Sequence, residues 1–175
     1  MVSTKWNKIV CFSLAATCLL VNPVSAISEE RQGSISQGCA SIRQSLKALQ
    51  KDDSRNRIYL GTVYSSILNK FIIPLNKRLI GNNKPNISLV EIQSEYETAR
   101  INFIDDFIVY SQALETLINT DCQNNPNEFY NQLIITREKR SEVRQDTYRL
   151  NYLIAKHETA VNDMMEEEWA EAVKT

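Results

Sequence analysis

Few side chains in this sequence can do chemistry, and their spacing removes most of the reactions they could serve. There is one histidine among 175 residues, His157. A carboxylate-bridged di-iron bundle needs Glu-x-x-His pairs on two helices. Ile154 stands three residues before His157, so even half of that motif is missing. HExxH zinc, CxxCH haem and Walker phosphate signatures are absent as well. His157 falls on an apolar helical stripe, which suits a satisfied core or boundary histidine. Asp105-Asp106 and Glu166 to Glu168 pair carboxylates only in the sequence, because adjacent helical residues point about 100° apart. The Glu run reads as a solvated helix end. Arg137, Lys139, Arg140, Arg144 and Arg149 could address an anionic partner, but Glu138, Glu142 and Asp146 interleave with them at helical spacings. That is the pattern of a salt-bridged helix face. No catalytic residue, metal site or cofactor is implied, and the chain reads as a non-enzyme.

The remaining reactive pair is a matter of compartment. Residues 1–26 have the three parts of a secretory signal peptide: Lys5 and Lys8, an apolar run from Ile9 to Val21, and the small residues Val24-Ser25-Ala26. The run is short for a membrane span, which needs about 20 apolar residues; retention as an uncleaved anchor is the alternative. A lipoprotein signal through Cys18 is disfavoured, because Ala15-Ala16-Thr17 lacks the bulky apolar residue three before the cysteine. Cleavage after Ala26 removes two lysines and leaves 18 basic against 21 acidic residues, a net charge of −3. That balance offers no steering field for nucleic acid or anionic lipid. Cys11 and Cys18 leave with the signal, so Cys39 and Cys122 remain as an even pair in an oxidising compartment. A disulfide between them is the expectation and two free thiols the alternative. Localisation is therefore secreted or extracytoplasmic, in the periplasm or at the cell surface.

The elements that must position these residues are helices. Only 4 Gly and 4 Pro argue against turn-rich β-sandwiches and Gly-looped nucleotide folds, and 43% hydrophobic residues suffice for a core. Ile35, Cys39, Ile42, Leu46 and Leu49 step by four and three, and the stripe resumes from Leu60 through Leu79 after eight polar residues, Gln50 to Arg57. This predicts a first helix of about 46 residues, about 69 Å long, or two helices broken near residues 52–55. Pro74 should kink it, since it removes a hydrogen bond to Lys70. Ser88 and Glu91 predict a capping box for the second helix, with Ile87 and Ile92 as its hydrophobic staple. Its main stripe runs from Leu89 to Leu117, and Ile101, Ile104 and Ile108 add a second, so two buried faces are predicted. Asn125 and Pro126 start a third helix whose stripe, Phe129, Leu133, Val143, Leu150, Ile154, Val161 and Met164, persists to about Trp169.

Short connections at 81–87 and 121–125 force neighbouring helices to run antiparallel. The fold is then an all-α, elongated, up-down-up bundle of three long helices with coiled-coil character, or of four if the first breaks. Its parts are the signal peptide 1–26, an N-terminal tail 27–34, the bundle 35–169 and a C-terminal tail 170–175. Antiparallel packing brings Cys39 and Cys122 to one end. Setting them level aligns Asp53, Asp106 and Arg140 about 21–24 Å up the axis. A polar layer is predicted there, with Arg140 facing Asp53 or Asp106 and with Asn56 and Arg57 as further members. Such layers more often fix register than perform catalysis. Seven tyrosines exceed what the stripes need, and exposed ones suit a protein interface. Asn86-Ile-Ser88 is a glycosylation sequon, meaningful only in a eukaryotic secretory route.

The run Gly61 to Asn83, with Phe71-Ile-Ile-Pro-Leu-Asn-Lys-Arg78 and Asn82-Asn83, together with Asp106 to Ser111 and Asp121-Cys122, resembles small exported helical proteins of unknown function from ultra-small, host-attached candidate-phylum bacteria. The resemblance implies an envelope or surface location and transfers no functional residues. The expected function is a non-enzymatic interaction protein of the envelope, an adaptor or assembly component. The alternative is a holdase-type extracytoplasmic chaperone. Either takes protein partners, needs no nucleic acid and has no stable membrane span after signal cleavage; oligomerisation stays open.

Overall fold

The computed structural model describes residues 27–173. The signal segment 1–26 lies outside the described residues, as do positions 174 and 175. Among the described residues three helices run up, down and up: α1 (Glu29–Gly81), α2 (Ile87–Asn119) and α3 (Pro126–Ala172).

α1 is longer than its apolar stripe. Glu29 and Glu30 occupy its first turn, where carboxylates complement the helix dipole. The helix therefore starts six residues before Ile35, and the predicted tail 27–34 contracts to Ile27 and Ser28. It also runs unbroken through the polar stretch 50–57, so the bundle has three helices rather than four. Arg55 pairs with Asp52 along the surface at 3.0 Å, and Asp53 turns inward to a partner on α3, so the stretch loses nothing by staying helical. Pro74 does not end the helix. The turn before it, Leu68–Ile72, widens to a π turn in which the Ile73 amide donates to the Leu68 carbonyl. One extra residue per turn absorbs the missing donor, and α1 continues to Gly81.

Asn83, at φ 55°, makes the left-handed turn after α1, a conformation that asparagine tolerates better than most residues. The cap of α2 is then Asn86, whose side chain accepts from the Leu89 amide at 3.1 Å. This displaces the predicted Ser88 and Glu91 box by two residues. Ile87, the predicted staple, is 75% exposed. α3 begins at Pro126 after a turn in which the Asp121 carboxylate accepts from the Gln123 and Asn124 amides. It ends at Ala172, three residues into the predicted C-terminal tail.

The core forms two clusters along one axis. Ile35, Cys39, Phe107, Tyr110, Leu114, Leu117, Cys122 and Phe129 pack at the disulfide end. Tyr64, Leu68, Ile72, Tyr96, Ala99, Phe103, Leu150 and Leu153 pack nearer the α1–α2 turn. Tyr64, Phe103, Phe107 and Tyr110 join them as a chain of ring contacts, with edge-on pairs at 5.6 Å. α2 buries its main stripe only. Ile101 and Ile108 are exposed, because three helices leave nothing to cover a second face. On α3 the buried set also includes Thr136 and Leu153, which the stripe omitted. Thr136 is tolerated because its hydroxyl donates to the Ala113 and Gln132 carbonyls.

Candidate functional site

Cys39 and Cys122 form a disulfide, with Cα atoms 5.5 Å apart across 83 residues of chain. Arg43, one turn above Cys39, donates to the Thr120 carbonyl at the end of α2. The bridge thus ties the start of α1 to the α2–α3 turn and fixes where α1 stands along the bundle.

The polar layer stands 14 residues above Cys39 on α1, about 21 Å along the axis. Arg140 donates from Nε and Nη2 to the two oxygens of Asp53, at 2.9 and 3.0 Å. Tyr110 donates its hydroxyl to Asp53 Oδ2 at 2.7 Å. All three helices therefore meet at one carboxylate. Burial, then the Asp53 hydrogen bond and charge, push the Tyr110 hydroxyl well above its ordinary range, so it stays a donor. Hydrogen bonding to Asp53 holds Arg140 charged more firmly still. Arg57 stacks over the Phe107 ring at 5.4 Å beside the layer. Asn56 and Arg57 also line a recess of ≈ 370 Å³ there, together with Asp53, Tyr110 and Arg140. The arrangement is closed: each charged atom of Asp53 already has a donor. It holds helices together and presents no free nucleophile or base.

Asp106 is not a member. It faces Asp146 on α3, where Glu142 adds a further carboxylate. Burial first, then the Asp106 carboxylate and the Glu142 charge, push the Asp146 carboxyl up to about 6. Asp146 Oδ2 is buried with no donor, as suits an acid sharing a proton with its neighbour. Asp146 thus drops out of the predicted salt-bridged face. Within α3 that face keeps Lys139–Glu142, while Arg149 and Lys156 reach across to Glu95 on α2. Asp146 was legible only as one more alternating charge; nothing in its own helix announced the facing Asp106.

His157 is half-buried, and its Nε2 is buried without a partner, so the satisfied histidine of the sequence reading is not what the fold provides. Burial lowers its pKa. It lies in a groove of ≈ 410 Å³ between α1 and α3, lined by Phe71, Pro74, Leu75 and Val161, with Lys70 and Arg78 on α1. No cluster of three metal-ligating side chains occurs among the described residues.

A recess of ≈ 520 Å³ lies between α1 and α2. Its α1 wall has Ile58 followed by the small residues Gly61, Thr62, Ser65 and Ser66, and its α2 wall is Phe103 and Ile104. Ile101 and Ile108 extend the α2 wall at helical spacing, and both are exposed. An 18-residue window of α1 reaches a mean hydropathy of 1.2, apolar enough by composition to cross a membrane, yet only 17% of it is buried. A span is opposed by its neighbours: Tyr96 of α2 donates to the Tyr64 carbonyl of α1 at a level where Glu95, Arg149 and Lys156 stand alongside. Those charges would enter the hydrocarbon with it. Of the tyrosines, Tyr64, Tyr96 and Tyr110 are core, whereas Tyr59, Tyr148 and Tyr152 are exposed.

No known protein family, curated protein or solved structure matches this chain.

Proposed function

We propose that this chain is a non-enzymatic, extracytoplasmic interaction protein that receives a helix of a partner protein in the α1–α2 groove. One observation carries the reading: the recess between α1 and α2 sets Ile58, Gly61, Thr62, Ser65 and Ser66 of α1 across from a half-buried Ile104, which the exposed Ile101 and Ile108 flank on α2. Gly61, Ser65 and Ser66 present short side chains to the gap, so another helix can approach closely without displacing the bundle. An amphipathic helix with apolar residues at i, i+3, i+4 and i+7 fits such a groove. The disulfide supports an oxidising compartment, in keeping with the apolar amino-terminal segment.

Cross-linking in intact source cells, followed by mass spectrometry of non-reduced protein, tests this reading. The expected result is one dominant protein partner with cross-links clustered along α1 and α2, lost when Ile101→Asp and Ile108→Asp are combined. A broad smear of exported polypeptides, insensitive to that pair, would favour the holdase instead. Recovery in the cytosol with residues 1–26 attached would overturn the compartment.

A further inference from the structure

A second uncovered surface follows further along α1, beginning at Lys70 where the first recess ends, and its parts fit one another. The groove between α1 and α3 has an apolar floor of Phe71, Pro74, Leu75 and Val161, and Phe71 is 65% exposed. Lys70 and Arg78 of α1 and Glu158 of α3 stand at its edge, and none of the three has an ion-pair partner among the described residues. On α3, Val161, Met165 and Trp169 follow one another at steps of four, so the flank that lines the groove continues towards the helix end. There it becomes bare: Met165 is 53% and Trp169 70% exposed. Glu166, three residues before Trp169, is exposed and unpaired as well. One flank of one helix thus carries a receptor and, about 12 Å further along, a projection that suits it.

We infer that this flank is a two-fold interface, in which the Trp169 end of each copy seats in the Phe71–Leu75 groove of the other. The reading is independent of the α1–α2 groove. Two-fold pairing needs the same patch on both copies to be self-complementary. Here the register follows from the helix rise. Two α3 helices laid antiparallel with Trp169 opposite Val161 place Met165 against Met165 at the two-fold axis. The same register sets Glu166 of one copy level with residue 164 of the other. α1 and α3 run parallel, and Leu75 lies beside Val161, so Arg78 stands at that same level. Arg78 is therefore the cation that meets the second copy's Glu166, and the indole falls over Pro74 and Leu75. The match of Glu166 to Arg78 in this register, beyond the reach of Glu158 about six residues lower on α3, is what selects a copy of this chain for the groove.

Sedimentation equilibrium on protein expressed from the complete sequence tests this, with circular dichroism confirming that each variant is folded. The wild type is expected to show a weak, concentration-dependent dimer that salt loosens. Arg78→Glu and Glu166→Lys should each shift it to monomer by tenfold or more in dissociation constant. Their combination should restore the dimer, because each interface then pairs reversed charges; a general loss of stability would not be rescued in this way. Trp169→Ala should abolish dimerisation without rescue. A wild type that stays monomeric up to about 1 mM, or a double variant no better than the singles, would overturn the interface.

Discussion

Removing the Asp53 carboxylate should cost more than removing the arginine that binds it, and the structure says by how much. Asp53 accepts three hydrogen bonds, two from Arg140 and one from Tyr110. Its side chain is 14% exposed, that of Arg140 42%. In Asp53→Ala the Arg140 guanidinium turns to water, which it already half meets, and loses little beyond the ~0.2–1 kcal/mol of an exposed pair. The Tyr110 hydroxyl has no such exit, since that residue is 1% exposed. A buried donor left unsatisfied costs about 1–3 kcal/mol, so Asp53→Ala should destabilise by about 1–4 kcal/mol. Arg140→Ala leaves the carboxylate its Tyr110 donor and partial access to water, for about 1–2 kcal/mol. Asp53→Asn keeps an acceptor for Tyr110 and should cost about 1 kcal/mol. Urea unfolding of the three variants, with the Asp53→Ala/Arg140→Ala double mutant, measures the order and the coupling. Arg140→Ala proving the costliest would refute the reasoning, for it would mean that Asp53 is stranded as a buried charge. So would a cost below about 0.5 kcal/mol for Asp53→Ala, which would leave the layer no energetic role.

Reducing the Cys39–Cys122 bridge releases an 83-residue loop in the unfolded chain, which the chain-entropy relation values at about 4.5 kcal/mol; the urea midpoint should fall sharply under reductant, and an unchanged midpoint would count against that account. Asn86→Ala should cost about 1 kcal/mol and Ser88→Ala far less, because Asn86 is the residue that caps α2; equal losses would restore the Ser88 box. Asp146 and His157 pull stability in opposite directions with pH. Folding raises the Asp146 carboxyl to about 6, so its contribution is full below the unfolded value near 3.8 and is lost as pH rises through 6. Folding lowers His157, so its contribution is full above the unfolded value of 6.5 and falls as pH drops through it. Asp146→Asn should therefore raise stability at pH 7 and tilt the pH 5–7 slope upward, which unfolding at several pH values reads directly; a slope identical to wild type would sink the pairing with Asp106.

The helices were legible because their apolar residues recur every three or four positions over long runs, and because the two connections are too short for anything but antiparallel neighbours. The pairing of Asp53 with Arg140 was legible for the same reason. Once the cysteines set the axial register, a count of residues placed both at one height. What that count lacks is azimuth. Asp106 sits at nearly the same height, but on the flank of α2 that faces Asp146, and a one-dimensional register cannot tell one flank from the other. Boundaries failed where local chemistry outranked periodicity. Glu29 and Glu30 carry α1 back beyond its first buried residue because the helix dipole needs no core. Asn86 outcompeted Ser88 because the left-handed turn at Asn83 delivers the chain to its first helical amide two residues sooner. Pro74 lacks one donor, and the turn before it widens to a π turn, so the helix continues past it to Gly81.

The larger discrepancy is also the more informative. Ile101 and Ile108 read as core, since isoleucines at helical spacing are core in most folds, yet this fold leaves them bare. Phe71, Met165 and Trp169 are bare as well. The charges that cross between helices are engaged inside the bundle: Asp53 by Arg140 and Tyr110, and Glu95 by Arg149 and Lys156. What stays uncovered on two neighbouring faces is apolar side chains, with the unpaired Lys70, Arg78 and Glu166 beside the second. Contiguous exposed apolar surface marks places where proteins meet. The two faces meet at Lys70, which lines both, so the helix we propose for the α1–α2 groove and the second copy we infer at the end of α3 would be neighbours on α1, and Lys70→Glu should weaken both contacts where Arg78→Glu weakens only the second.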